Sequence, residues 1–233
     1  MQAELQVLLI TAVSIACLHT LTGPDHYVPF IALSKARGWS VTRTIFWTII
    51  CGCGHVWSSI ILGLSGAAIG WSLSKVTWLE SVRGGIAGWA LVAFGIIYST
   101  WGTVKAIKGH KHKHFDVYDD GSIYVYEHTD GELVAPGERY AVTPWVIFLI
   151  FVLGPCEPMI PLLYFPAAKN SLGAMMSLII VYTIFTLGTM VLMVVLGYFG
   201  FAFFQSEKLE RYLHATAGVT ILICGIGMVF LNW

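Results

Sequence analysis

Apolar runs long enough to cross a lipid bilayer make up most of this 233-residue chain. Only 11% of its residues are charged, whereas soluble domains contain about 25%. Because a membrane-spanning helix needs about 20 apolar residues, the runs predict about six spans and one polar segment. The sequence therefore predicts an all-α polytopic membrane protein whose main partner is the lipid bilayer.

Gly-Pro interrupts two of these apolar runs, and residues able to bind a cation follow it both times. The sequence is Gly-Pro-Asp-His at 23–26 and Gly-Pro-Cys-Glu at 154–157. Proline lacks an N–H group and clashes with the preceding helical turn, so the first and fourth spans are predicted to be broken helices. Ionisable side chains are costly inside a membrane and usually serve transport, proton relay or chemistry. The two interruptions therefore predict an ion or substrate site.

Spans 1 to 3 resemble spans 4 to 6. Besides the two Gly-Pro pairs, Gly54-His55 in the second span corresponds to Gly188-Thr189 in the fifth. Three is an odd number of spans, so the second copy must be inverted relative to the first. Inverted repeats with broken helices place the substrate near the bilayer midplane. The predicted organisation is a 3+3 inverted repeat, with repeat 1 at 1–107, a polar segment at 108–140 and repeat 2 at 141–233.

Lysine and arginine are distributed unequally between the two sides of the predicted membrane protein. Ten follow spans 1, 3 and 5, and only Lys75, Arg83 and Lys169 fall on the opposite side. Basic residues concentrate in cytoplasmic connections, which predicts a cytoplasmic polar segment and termini on the outside. The expected location is a bacterial inner membrane.

The polar segment has an alternating pattern that favours a β-hairpin with a turn at Gly121. The expected pairs are Asp116 with Tyr124, His114 with Tyr126, and His112 with His128. A histidine-rich tract suggests metal capture. The alternative is an ordinary soluble loop with exposed histidines. The predicted secondary capture residues are His110, His112, His114 and His128.

Six residues at or near the interruptions are predicted to bind a metal ion. Imidazole suits nickel, cobalt, copper and zinc, carboxylate suits harder ions, and thiolate suits softer ones. Simple structural roles stay open for single histidines, a proton-carrying role for the glutamate, and a redox role for the cysteine. The predicted ligands are His19, Asp25, His26, His55, Cys156 and Glu157.

The motifs His-Thr-Leu-Thr-Gly-Pro-Asp-His at 19–26 and Gly-Cys-Gly-His at 52–55 resemble signatures of the UreH-like membrane proteins. That family is grouped with the nickel/cobalt transporters and the TauE/SafE-type exporters. The resemblance implies transition-metal transport, with Asp25, His26 and His55 as primary ligands. Five residues separate His19 from Asp25, whereas the nickel/cobalt permease motif has four. The alternating-histidine segment is also similar to the loops of nickel/cobalt efflux members.

These observations together predict a transporter whose substrate is a divalent transition metal ion, with nickel or cobalt favoured and zinc, iron and copper left open. No enzymatic activity is expected, and the lack of a G-x-x-x-x-G-K-[ST] loop points to an ion gradient, such as protons, or a partner as the driving force. The net charge of zero gives no case for nucleic acid.

Two rival functions remain. A thiol-based electron carrier would need a cysteine pair, and Gly-Pro-Cys at 154–156 is similar to the interruptions of CcdA/DsbD-type carriers, which have a cysteine in both broken helices. An exporter of sulfite or an organosulfur anion would bind its substrate at half-helix N-termini, but Asp25 and Glu157 would repel an anion.

Overall fold

A computed structural model gives the fold of residues 2–108, 111–117, 123–129, 142–156, 158–168, 172–200 and 212–231. Its side chains are described over 4–107, 144–156, 158–164, 172–200 and 212–231. The elements, in chain order, are α1 (Gln2–Thr22), a 3₁₀ turn (Pro24–His26), α2 (Val28–Ala36), α3 (Val41–Ala68), α4 (Leu73–Lys108), β1 (Lys111–Val117), β2 (Ile123–Thr129), α5 (Val142–Leu153), α6 (Met159–Ala168), α7 (Leu172–Gly200), α8 (Leu213–Ile226) and a terminal π-helical turn (Gly227–Leu231).

Five helices in the described part of the chain are long and apolar enough to cross a membrane. They correspond to α1, α3, α4, α7 and α8 with its π-helical turn. Many of their exposed side chains are large and apolar, including Ile61, Ile97 and Leu196. Lipid accepts such side chains, whereas water would not. The chain is therefore a helical integral membrane protein, as the composition predicts.

Helices end where the sequence supplies a residue that allows the backbone to turn. Gly38 and Gly70 have positive φ angles of 61° and 71°, which glycine adopts without a steric penalty. Each is followed by a tryptophan whose N–H bonds back to the preceding helix, from Trp39 to Ser34 at 2.8 Å and from Trp71 to Gly66 at 2.8 Å. These tight turns connect α2 to α3 and α3 to α4.

Helix α4 begins earlier than the sequence suggests. The hydrophobic pattern places the third span at about Gly84, but the helix runs from Leu73. Arg83 therefore lies inside a helix and is not part of a connection. Its charge is matched by Glu80, three residues earlier, and this pairing is what lets the helix extend through a charged stretch.

Helices α4 and α8 make the most extensive helix–helix contact in the described structure, and glycines on both sides permit it. A β-carbon at Gly95 would lie 2.6 Å from the backbone of Leu222, and one at Gly225 would lie 2.7 Å from the backbone nitrogen of Val92. Membrane helices associate mainly through such close packing of small residues. Gly88 also permits close contact, since a β-carbon there would lie 2.9 Å from the side chain of Val229, whereas Gly85 faces open space.

Two apolar core clusters lie on either side of the middle of α3. One joins α2, α3, α4, α5, α7 and α8 around residues such as Phe30, Cys51 and Ile221. The other joins α1, α3, α6 and α7 around residues such as Ile60 and Tyr182. His55, buried between them along α3, is 14 residues from Val41 and 13 from Ala68 and so lies at mid-helix.

Strands β1 and β2 pair antiparallel. Their register contains the pairs that the sequence predicts: His112 with His128, His114 with Tyr126, and Asp116 with Tyr124. Gly121 and the side chains of this hairpin lie outside the described residues, so a shared histidine face stays a prediction.

Replacing Gly95 by alanine should destabilise the protein by about 1–3 kcal/mol, because the methyl group would overlap the backbone of Leu222. Gly188→Ala is the matched control, since a β-carbon there meets nothing within 4 Å and helical alanine is favoured over glycine. Thermal unfolding in detergent measures both variants. Equal melting temperatures for the two would contradict the packing described here.

Candidate metal centre

Three histidines from three separate elements meet in the membrane-spanning part of the protein. His19 comes from α1, His26 from the 3₁₀ turn, and His55 from the middle of α3. One ring nitrogen of each lies within 4.8 Å of the others. The His26 ring stands edge-on to both neighbours, with centroid distances of 4.8 Å to His19 and 4.9 Å to His55. The sequence predicts all three as ligands, and the fold brings them together.

The local backbone explains how His19 and His26 come to face each other. Helix α1 ends at Thr22, and the N–H of Gly23 still bonds to the carbonyl of His19 at 3.0 Å. The chain then tightens into the 3₁₀ turn, which carries His26 back over the end of α1. Gly23 is required there, because a β-carbon would lie 2.6 Å from Nδ1 of His26.

Hydrogen bonding determines which nitrogen of His26 is available to a ligand. Nδ1 lies 3.1 Å from the carbonyl oxygen of Gly23. Since a carbonyl can only accept, Nδ1 donates, and in the neutral ring the lone pair is left on Nε2. This is the arrangement found in many metal sites, where one ring nitrogen bonds to the protein and the other to the ion.

The Nε2 atoms of all three histidines are buried and have no hydrogen-bond partner in the described structure. An unsatisfied buried polar atom costs about 1–3 kcal/mol, and such atoms are rare in native proteins. Three of them in one cluster leave hydrogen-bonding or ligand capacity that a bound group could use. A transition metal ion would satisfy all three at once.

Asp25 places a carboxylate beside this cluster. Its Oδ1 lies 3.3 Å from Nδ1 of His26, and only 13% of the side chain is exposed. A carboxylate behind a ligating imidazole orients the ring and strengthens it as a ligand. Asp25 therefore sits where it can support His26 and offset part of a dication's charge.

The distances between the histidine ring nitrogens would suit a metal ion if the three rings moved slightly closer together. Metal–nitrogen bonds of about 2.1 Å in a tetrahedral site place ligand nitrogens roughly 3.4 Å apart. The observed limit of 4.8 Å exceeds this by little more than an ångström. Small side-chain rotations would bridge that difference. Nitrogen-rich ligation suits a borderline transition metal and does not suit calcium, which prefers oxygen ligands.

A cavity of about 400 Å³ adjoins the cluster. His19, Asp25 and His26 contribute to its wall, and its far side reaches Ser81 and Trp89 of α4. A smaller cavity borders His26 and His55 and includes Phe151 and Gly154 of the other half of the chain, among its lining residues. The histidine cluster thus borders residues of the second half of the chain, and Gly154 lies next to His55.

Cys156 is buried and separate from the histidine cluster. Its thiol lies 3.3 Å from the hydroxyl of Tyr182. The group of clustered ligand atoms among the described residues contains the three histidines and not Cys156. Its role as a soft ligand stays a prediction. Glu157 and His110 lie outside the described residues, as do the side chains of His112, His114 and His128.

Three polar residues that the sequence does not predict as part of the site form hydrogen bonds with the backbone at the second interruption. Glu80 and Arg83 of α4 and Ser59 of α3 form one hydrogen-bonded group with the backbone at 154–156. An acid and a base three residues apart within an apolar stretch could have signalled a helical ion pair. Their meeting with Ser59 depends on tertiary packing, which the sequence does not display.

Comparison with known proteins adds no family assignment. The chain matches no protein-family model, no curated protein and no solved structure.

Gly23→Ala should weaken Co²⁺ binding by at least about tenfold, because the added methyl group would displace the ring of His26. Gly85→Ala is the control: Gly85 lines the same cavity, but a β-carbon there meets nothing within 4 Å. Titration calorimetry on purified protein measures both. A Gly23→Ala protein that binds Co²⁺ as tightly as the Gly85→Ala protein would mean that His26 does not contribute to the site.

Proposed function

We propose that this protein transports a divalent transition metal ion across the membrane, with nickel or cobalt as the favoured substrate. The observation that carries the proposal is the cluster of three buried Nε2 atoms without hydrogen-bond partners. Charged and polar groups deep in a membrane protein usually mark a substrate or ion path. Here the polar groups are the ligands that late first-row metals prefer.

The depth of the site and its access both suit transport. His55 lies near the middle of a 28-residue helix, so the cluster would be close to the bilayer midplane. A cavity leads from the cluster to the half of α4 that follows the α3–α4 turn. A purely structural metal site would be closed on all sides, whereas a transport site needs a path for the ion.

We also propose that α1 with α2, and α5 with α6, each form one broken membrane span. The two helices of the second pair contain 12 and 10 residues, about 33 Å of helix at 1.5 Å per residue, which matches the hydrocarbon thickness of about 30 Å. With these two, the protein would have six spans. Both interruptions would then lie at substrate depth.

The helix contacts support an inverted 3+3 repeat. If spans 1 to 3 correspond to spans 4 to 6, exchanging the copies should convert the main helix contacts into one another. Helix α1 packs on α7, and its equivalent α5 packs on α3. Exchanging the copies swaps α3 with α7 and α4 with α8, so the α3–α7 and α4–α8 contacts are each converted into themselves. This pattern is what a twofold relation between the repeats would produce.

Transport would proceed by rocking one repeat against the other around the metal site. The polar segment at 108–140 would face the cytoplasm, and both termini the outside, as the distribution of basic residues suggests. The histidines of the segment would collect metal ions near the cytoplasmic opening. Protons are the proposed coupling ion.

The thiol-carrier alternative is less well supported by the described residues. It requires a second cysteine within bridging distance of Cys156. The five cysteines are free thiols, and the sulfur of Cys156 contacts Tyr182. An anion exporter is disfavoured by Asp25, whose carboxylate adjoins the cavity and would repel the substrate.

Replacing His26 by alanine should reduce Co²⁺ affinity by about 100-fold or more and abolish transport into proteoliposomes, since a central ligand is lost. Asp25→Asn should cause a smaller loss, because the amide keeps a hydrogen-bond acceptor but not the charge. His214→Ala is the matched control, an imidazole that instead contacts Tyr98 and Lys105. Wild-type affinity in His26→Ala would refute the metal proposal.

Deleting residues 110–128 should lower transport at limiting metal concentration but leave the maximum rate unchanged. The reason is that a capture segment raises the local ion concentration without lying on the conduction path. Uptake measured over a range of Co²⁺ concentrations tests this. Complete loss of transport at saturating metal would show instead that the segment is part of the gate.

A further inference from the structure

The second interruption is held by charged side chains of neighbouring helices, unlike the first. At the first, the turn satisfies itself: Gly23 bonds to His19, and the ring of His26 bonds to Gly23. At the second, Cys156 N–H donates to Glu80 Oε1 at 2.9 Å and to Ser59 Oγ at 3.0 Å.

Arg83, the cationic partner of Glu80, binds the other end of the same segment. Arg83 Nη2 donates to the carbonyl oxygen of Gly154 at 3.1 Å. The same nitrogen donates to Glu80 Oε1 at 2.9 Å and to Ser59 Oγ at 2.6 Å. A carboxylate and a guanidinium thus bracket residues 154–156, with Ser59 between them.

A buried ion pair such as Glu80–Arg83 is energetically unfavourable in a membrane, so its presence calls for a specific role. Glu80 is completely buried, and the side chain of Arg83 is only 17% exposed. Removing two charges from water costs several kcal/mol each, and hydrophobic residues of similar size often stabilise a fold as well or better. What the pair provides, which apolar packing would not, is a fixed position for two backbone groups that have no helical partner.

The segment that the pair holds forms part of the wall of the metal centre. A β-carbon at Gly154 would lie 3.2 Å from Nδ1 of His55, so the backbone is in close contact with that ring. Pro155 lines the large cavity together with His19 and His26. Gly84, the residue after Arg83, packs directly against the ring of Pro155.

We propose that Glu80 and Arg83 are positioning residues for the metal centre: acting as a unit with Ser59, they fix Gly154 and Pro155 against His55 and so set metal affinity without touching the ion. This inference rests on the proposed function. Ser59 follows His55 by one helical turn on α3, so the same helix that provides a ligand also carries part of the clamp. Loss of either charge frees the segment and lets the ring of His55 leave its ligating orientation.

The test compares Co²⁺ dissociation constants and the visible absorption of bound Co²⁺ in the full-length purified protein. Glu80→Gln and Arg83→Met should each weaken binding by roughly 10- to 100-fold and change the absorption intensity, as expected when an outer partner of a ligand is lost. The double variant should be no worse than the poorer single one, because the two residues act as a unit. Thr100→Ala, which removes an exposed hydroxyl of α4 that bonds to the carbonyl of Ile96 in the same helix, should bind as wild type.

A second measurement needs no metal. In a protein that retains only Cys156, with the other four cysteines changed to alanine, N-ethylmaleimide should react slowly with the buried thiol. Adding Glu80→Gln should raise the rate by about tenfold, since freeing the segment increases local opening. If Arg83→Met fails to fold, Arg83→Lys and Glu80→Gln decide the outcome.

The outcomes separate this inference from the proposed function. If wild type binds Co²⁺, His26→Ala does not, and both clamp variants bind as wild type, then the clamp only stabilises the fold and the inference is overturned. If wild type itself does not bind Co²⁺, the metal proposal fails and this inference fails with it. Slow thiol labelling in Glu80→Gln would likewise overturn it.

Discussion

A backbone N–H or C=O in the hydrocarbon region must find its partner within the protein, and this constraint governs both interruptions. Proline removes a donor and breaks the helical ladder at each Gly-Pro, so several groups need new partners. The first interruption solves the problem with its own turn and a histidine ring. The second relies on α3 and α4, whose side chains reach in to Gly154 and Cys156.

The histidine cluster is an electrostatic problem that an ion would solve. Lone pairs that converge in a low-dielectric interior repel one another, and protonated rings at the same distances would repel more strongly. A dication converts this repulsion into three ligand bonds, and the adjacent Asp25 offsets part of its charge. In the described structure, three buried nitrogens without hydrogen-bond partners lie next to a cavity. Such an arrangement is costly for stability alone and favourable for reversible binding.

The sequence predicts the parts of the site that follow from local rules. Gly-Pro before Asp25 and His26 indicates an interruption, and apolar runs around His55 indicate burial, so the histidines that cluster are singled out by residue types alone. The hairpin register follows from the alternating pattern in the same way. What the sequence does not reveal is which distant residues meet. From the sequence, Arg83 is counted among the basic residues of the connections between spans. Only packing brings Arg83 and Glu80 to the second interruption.

Under the proposed transport, one repeat supplies the histidines and the other supplies wall residues, and this distribution limits how the protein can move. His19, His26 and His55 all belong to the first repeat, so their mutual geometry can survive a rocking motion. The second repeat provides wall residues, Phe151 and Gly154 among them. The Glu80–Arg83 clamp joins the two repeats, and breaking it would leave a buried carboxylate without its compensating charge, which is strongly unfavourable. In the proposed rocking motion, a pivot about the clamp would avoid that cost.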